Sequence, residues 1–328
     1  MYNFYPMQQN ILMKEFKKLA PNDYKKNNKT HKNDKLKAFG AVFDRLRSFS
    51  GDVLMDFIAS DEVRWYTSDK QALFVQDGDL LKTLGKTKYN QISDFSLIDP
   101  PFKSFVLALP SGFKLLDREI SGLLVNYYDS YAQINDCVKD TFERLGIPVH
   151  KRPRFIDKYD SDKPAMSINY VVDREDNVSR ILAPSSIYQS ILKGDDVLGK
   201  EDMSINAVEL DQGEAELQQA LIRLVLSLFV YIQSFGADKV IAAGLPDDVK
   251  SVKKLQSIAA SESRHSHVTN RTGVKSGYVG VRSGHFRQLM HERFYRGEHA
   301  NRPTGSRIIY IPPYSVGDLD PSHLVDPE

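Results

Sequence analysis

Apolar residues recur at helical spacing through Leu36, Phe39, Val42, Phe43 and Leu46, which predicts an amphipathic helix over 35–48. A Ser50-Gly51 break follows, and 52–59 reads as a second, short helix. The pattern then changes to short apolar runs bounded by Gly, Pro and Asp. Runs at 71–75, 103–109, 112–116 and 122–128 are expected strands, with Pro110-Ser-Gly112 as a hairpin turn. Residues 132–145 return to helical spacing, stopped by Gly146 with Pro148 behind it. The stretch 165–172 alternates like a strand and runs into an acidic, turn-rich segment at 173–177. The longest helical signal is 213–235, where Leu217, Leu221, Leu224, Val225, Leu228, Phe229 and Ile232 cover more than one face. A helix apolar on several faces belongs in the centre of a core. Pro246 and the acids after it open a further predicted helix over 246–258, and 261–277 reads as a polar linker. No internal repeat is present. Together these elements predict an α+β fold. A mixed, mainly antiparallel sheet packs on the long central helix, with N-terminal helices and a basic β-rich C-terminal region.

Charge placement divides the chain further. The formal net charge is only +1, yet the stretch 14–37 carries nine Lys against three acids and the stretch 261–311 carries nine Lys or Arg against three acids. Each contributes +6, so the remainder carries −11. The expected organisation is a flexible basic segment at 1–34, including the polar stretch 21–34, then an α+β body at 35–260, then a basic region at 261–328, the segregated charge giving separate surfaces to separate partners. A charged fraction of 27% and a hydrophobic fraction of 41% describe an ordinary globular protein. Cys137 is the only cysteine, which excludes an internal disulfide framework and a multi-cysteine zinc site. The N-terminal residues lack a charged segment followed by an apolar one, so no secretory signal is expected. The apolar run 220–235 is interrupted by Arg223 and Gln233 and reads as too short and polar for a bilayer. A cytoplasmic protein without membrane partner or small-molecule cofactor is expected.

Candidate chemistry concentrates at 261–311. Five of the eight histidines lie there (His265, His267, His285, His291 and His299). Tyr278, Phe286, Phe294, Tyr295 and Tyr310 are interleaved with seven Arg from residue 264 to 302, and Arg307 closes the set. Cations attract phosphates and aromatic rings offer stacking surfaces, so the mixture suits a nucleic-acid face. Arg282, His285, Phe286, Arg287, Arg293, Arg296, Arg302 and Arg307 are the expected RNA- or ribosome-binding residues. If 278–288 is a strand, His285 and Arg287 share a face; if 285–295 is a helix, Arg287, His291 and Tyr295 form a row. Either arrangement sets Arg beside His, the pairing of a metal-independent ribonuclease, so His285, His291 and Arg287 are the catalytic candidates. The same pairing serves a surface that only binds, and binding is the expectation here. A histidine metal site from His265, His267 and His285 is conceivable, as is a carboxylate site from Asp157, Asp160, Asp162, Asp173, Glu175 and Asp176. Neither has the spacing of a defined motif, and no metal is expected. A Gly-x-Ser-x-Gly nucleophile motif and a glycine-rich phosphate loop are absent from the sequence.

The run Arg282-Ser-Gly-His-Phe-Arg287, its aromatic and basic continuation to Gly297, Arg302-Pro303, and Arg307-Ile-Ile-Tyr-Ile-Pro-Pro-Tyr-Ser-Val-Gly317 together resemble a C-terminal signature. The family concerned is a mobile-element family whose best-known member is the second-described type V-A anti-CRISPR protein. The order of landmarks is similar too: Leu109-Pro110 between strands, Asp173 to Val178 leading to Pro184-Ser-Ser, and a long apolar helix before Gly244-Leu-Pro246. The resemblance covers roughly 100–317; Phe286 and Phe294 stand where the family usually has Trp, and the chain's single Trp65 reads as a core residue. It implies a phage or plasmid origin and recognition of a nascent polypeptide, the N-terminal segment of a type V-A CRISPR nuclease, followed by loss of its mRNA. The competing expectations are an intrinsic ribonuclease and a plain protein-binding inhibitor without an RNA role.

Overall fold

The computed structural model describes residues 2–3, 5–32, 34–50, 53–68, 71–75, 78–85, 87–91, 100–148, 162–173, 178–193, 212–235, 280–282, 285–311 and 314–316. The expected helix at 246–258 and linker at 261–277 lie outside these residues. The architecture is α+β, built on a mixed, mostly antiparallel sheet.

Four helices open the chain: α1 (Gln8–Leu19), α2 (Pro21–Thr30), α3 (Lys35–Ser50) and α4 (Val53–Thr67). The stretch 21–34 read as a polar, flexible segment, but α2 occupies most of it. Pro21 sits at the first helical position and Asp23 in the first turn, both favoured there. Tertiary bonds complete what the polar sequence does not show: Asn27 Nδ2 donates to the Ala38 carbonyl at 2.7 Å, and Arg45 meets Asp23 at 2.9 Å. The helix expected at 52–59 runs about two turns further, to Thr67. Helix α6 (Ala132–Arg144) packs with α3 and α4 through Phe39, Phe43, Val63, Val138 and Phe142. Gly40 permits this approach, since a Cβ there would lie 2.1 Å from the Leu145 carbonyl oxygen.

The large sheet is centred on β4 (Ser104–Pro110), β6 (Arg118–Tyr128), β7 (Ala165–Val172) and β8 (Ser179–Pro184), which pair antiparallel with one another in that order. Strand β2 (Gln71–Phe74) adds in parallel to β4, and β1 (Tyr2–Asn3) continues the same edge, pairing with Leu109 and Pro110. A two-residue strand β5 (Lys114–Leu115) folds back on β6. One face carries Phe105, Leu107, Val125, Ile168 and Tyr170 against α8 (Gln212–Phe235), with the Phe105 and Phe229 rings 5.9 Å apart edge to face. The other face carries Val106, Ala108, Leu124 and Val171 against Ile58 and Trp65 of α4 and against Tyr5 and Met7. With both faces covered, every residue of β7 is buried, including the polar positions of its alternating pattern. The stretch Gly213–Ile232 is long and apolar enough to cross a bilayer, but 78% of it is buried inside the protein. Its apolar sides are consumed by the sheet and by α5 (Gly78–Gly85) and α7 (Tyr188–Lys193).

A second sheet joins distant parts of the chain. Strand β10 (His285–Leu289) lies between β11 (Arg307–Ile311), antiparallel, and β3 (Lys88–Gln91), parallel. Ile308 of β11 enters the α8 core, which anchors this sheet to the body. Beyond it, β9 (Gly280–Arg282) pairs with β12 (Tyr314–Val316).

Candidate nucleic-acid interface

Strands β10 and β11 present the loop 290–306 at their open end, since Leu289 pairs with Arg307. The loop contains two single 3-10 turns, Glu292–Phe294 and Gly297–His299. The strand reading of residue 285 onward therefore holds to Leu289 and the helical alternative for 285–295 fails: Met290 and His291 leave the sheet and the chain turns. A row of Arg287, His291 and Tyr295 does not form.

The tyrosine has a different task. Tyr295 is buried; its hydroxyl donates to the Leu289 carbonyl at 2.7 Å and accepts from the Gly305 amide at 2.6 Å and the Arg307 amide at 3.1 Å. It closes the loop rather than offering a stacking face. Gln288, also buried, donates through Nε2 to the Gly305 carbonyl at 2.7 Å, and Gly305 supplies the left-handed φ of 88° that the closure requires. Half-buried Arg307 donates to the Phe294 carbonyl, so this arginine clamps the loop from within.

With its backbone held, the loop turns its cations outward. Arg287, His291, Arg293, Arg296 and Arg302 are all exposed, and Met290 is 61% exposed beside them. The Arg293 guanidinium lies over the Phe294 ring at 4.7 Å, and the His291 ring meets the same phenyl edge-on at 6.5 Å. His291 Nδ1 accepts from the Arg293 amide at 3.1 Å, capping the first turn. That bond sets the neutral tautomer: Nδ1 is the acceptor and Nε2 carries the hydrogen. With Nδ1 so engaged, exposed His291 has Nε2 left to donate, a geometry suited to a phosphate oxygen. Of the remaining expected residues, Arg282 falls on β9, and His285 and Phe286 on β10, placed by strand register. His265 and His267 lie outside the described residues.

Among the described residues no group of three or more His, Cys, Asp or Glu is placed to hold a metal ion. Of the acids at 157–176, Asp173 is a backbone clip: its carboxylate accepts from the Glu119 amide at 3.0 Å and from Arg118 Nε at 3.1 Å. The amide hydrogen bond first, and Arg118 second, hold its pKa below the usual range. Asp157, Asp160, Glu175 and Asp176 lie outside the described residues.

The most strongly perturbed acid was not singled out by the sequence. Helix α4 buries Asp56, Asp61 and Glu62. Asp61 accepts from the Tyr128 hydroxyl at 2.5 Å and from Arg180 Nε at 2.8 Å. Glu62 accepts from the Tyr5 hydroxyl at 3.0 Å and from the Gln8 and Gln9 amides at 2.5 and 3.0 Å, which are the first donors of α1. Burial pushes the Glu62 carboxyl up to about 7, against the opposing pull of the two amides. Adjacent acids inside the otherwise apolar run from Ile58 to Val63 were the available signal. Their partners, Tyr5, Tyr128 and Arg180, are too distant in sequence to be paired by inspection.

Compared with family models, curated proteins and solved structures, the chain matches none.

Proposed function

We propose that this chain is a cytoplasmic two-surface binding protein of mobile-element origin. Its α+β body holds a nascent target polypeptide, and its C-terminal loop engages RNA or the ribosome, which leads to loss of the target's mRNA. The observation that carries the RNA half is the loop 290–306, a closed backbone frame with His291, Arg293, Arg296 and Arg302 exposed, next to exposed Arg287 on β10. A disordered basic tail must lose conformational entropy when it binds; a loop already held by Tyr295, Gln288 and Arg307 loses less. The His291 Nδ1 is taken up by the Arg293 amide, which supports phosphate contact through Nε2 more than ribonuclease chemistry. The target half, an N-terminal segment of a type V-A CRISPR nuclease, rests on the sequence resemblance over 100–317.

The test is affinity capture from a bacterial lysate at low and moderate salt, wild type beside Arg287→Glu/Arg293→Glu. Recovery of RNA or ribosomes by the wild type, falling with salt and lost in the variant, supports the proposal. Equal recovery of a single protein by both forms, without RNA, points instead to a plain inhibitor. Co-expression with a type V-A nuclease tests the target: the nuclease transcript falls if the assignment is right and stays level if it is wrong.

A further inference from the structure

Arginine, histidine and phenylalanine converge on one spot of the loop in a way that simple phosphate attraction does not require. Phe294 is half-buried and its ring is flanked by the Arg293 guanidinium at 4.7 Å and the His291 imidazole at 6.5 Å. Arg293 is exposed while its guanidinium lies over the phenyl ring, so the planar group is reachable from solvent. Met290, 61% exposed at the start of the same loop, adds an apolar, polarisable surface. The same hairpin carries the exposed cations Arg287, Arg296 and Arg302, and the His291 Nε2 is free of the bond that holds Nδ1.

We infer that this loop binds unpaired RNA, with one base stacked on the outer face of the Arg293–Phe294 pair and the neighbouring phosphates held by His291 and the flanking arginines. The inference rests on the RNA reading above and narrows it to single strands. A duplex stacks its bases on one another and offers its outside mainly as phosphate and 2′-hydroxyl, for which isolated Lys and Arg suffice. An unpaired base exposes a π-face, and a guanidinium already held flat by Phe294 meets it with little ordering cost. The aromatic support and the exposed methionine have a use only with the second ligand. The 3-10 turn fixes Arg293 relative to Phe294 through the His291 cap, so the platform belongs to the folded loop rather than to its composition.

The experiment compares a fluorescent oligouridine of ~12 nucleotides with a duplex RNA of the same length, titrated with wild type and with Arg293→Lys. Lysine keeps the charge and loses the plane, and the exposed position leaves the fold intact. Wild type should bind the single strand about tenfold more tightly than the duplex, and Arg293→Lys should lose about tenfold on oligouridine with duplex binding unchanged. Equal affinity for the two RNAs, or an Arg293→Lys affinity for oligouridine equal to wild type, overturns the stacking platform while sparing the wider RNA reading. Binding to neither RNA overturns both.

Discussion

Arg180 Nε stands 2.8 Å from Asp61 Oδ2, and the two side chains retain 3% and 0% of their exposure. This pair ties β8 to α4 across the sheet face, with the Tyr128 hydroxyl on the other carboxylate oxygen and the Phe57 ring 5.0 Å from the guanidinium. A buried pair is costly to break from one side, because the survivor keeps its desolvation penalty without its partner. Arg180→Ala should therefore lower the unfolding free energy by about 3–5 kcal/mol. Replacing both residues, Asp61→Leu/Arg180→Met, should cost less than that single change. Urea denaturation of the two variants checks the order; a double variant weaker than Arg180→Ala would contradict it.

Glu62 gives the fold a pH slope of predictable sign. Its carboxyl is raised to about 7 in the folded chain, from an ordinary value of 4.5. Between those values the unfolded chain has released the proton and the folded chain still holds it, so stability declines as pH rises. The contribution is full below pH 4.5 and is lost, on the order of 3 kcal/mol, by about pH 7. Wild type should show this fall relative to Glu62→Gln, which has no proton to release. Thermal melts of both proteins across pH 4.5–8 read the difference; parallel curves would remove Glu62 as the source.

Tyr295→Phe removes one oxygen and leaves the Leu289 carbonyl and the Gly305 and Arg307 amides without it. Unsatisfied buried groups cost about 1–3 kcal/mol each where water cannot replace the partner. The loop is expected to loosen without any change of charge, so hydrogen exchange across 290–306 should quicken and RNA affinity should fall. Unaltered exchange would show that the strands alone hold the loop.

Gly40→Ala tests the seam between α3 and α6. The added carbon would sit 2.1 Å from the Leu145 carbonyl oxygen, a backbone atom that cannot swing aside. A loss of about 3 kcal/mol is expected despite the better helix propensity of alanine, because overpacking outweighs it. A stabilised variant would mean that the two helices part easily.

Much of the fold was legible because its strongest signals are local. The apolar faces of α3, α6 and α8 and the runs forming β4, β6 and β7 appear where their periods place them. The helix α2 was hidden by its Asn and Lys content, since its support comes from Arg45 and the Ala38 carbonyl rather than from its own pattern. At β7 the alternation of Ser167 and Asn169 with apolar neighbours identified the strand but not the burial of both polar side chains, which depends on what covers that face. At the candidate site, composition identified the basic stretch and the exposed arginines. It did not separate Arg307 and Tyr295, which hold the loop, from Arg293, which faces outward, because that division depends on which groups the hairpin encloses.

The basic loop depends on a strand pairing between β3 and β10, residues from opposite ends of the chain. Such a contact has high sequence separation and forms after local helices and hairpins are in place. In order of synthesis β3 precedes both β10 and β11, the strands that complete its sheet. The candidate surface therefore needs both segments, and a chain ending before β10 would retain the sequence of the main sheet's strands without it.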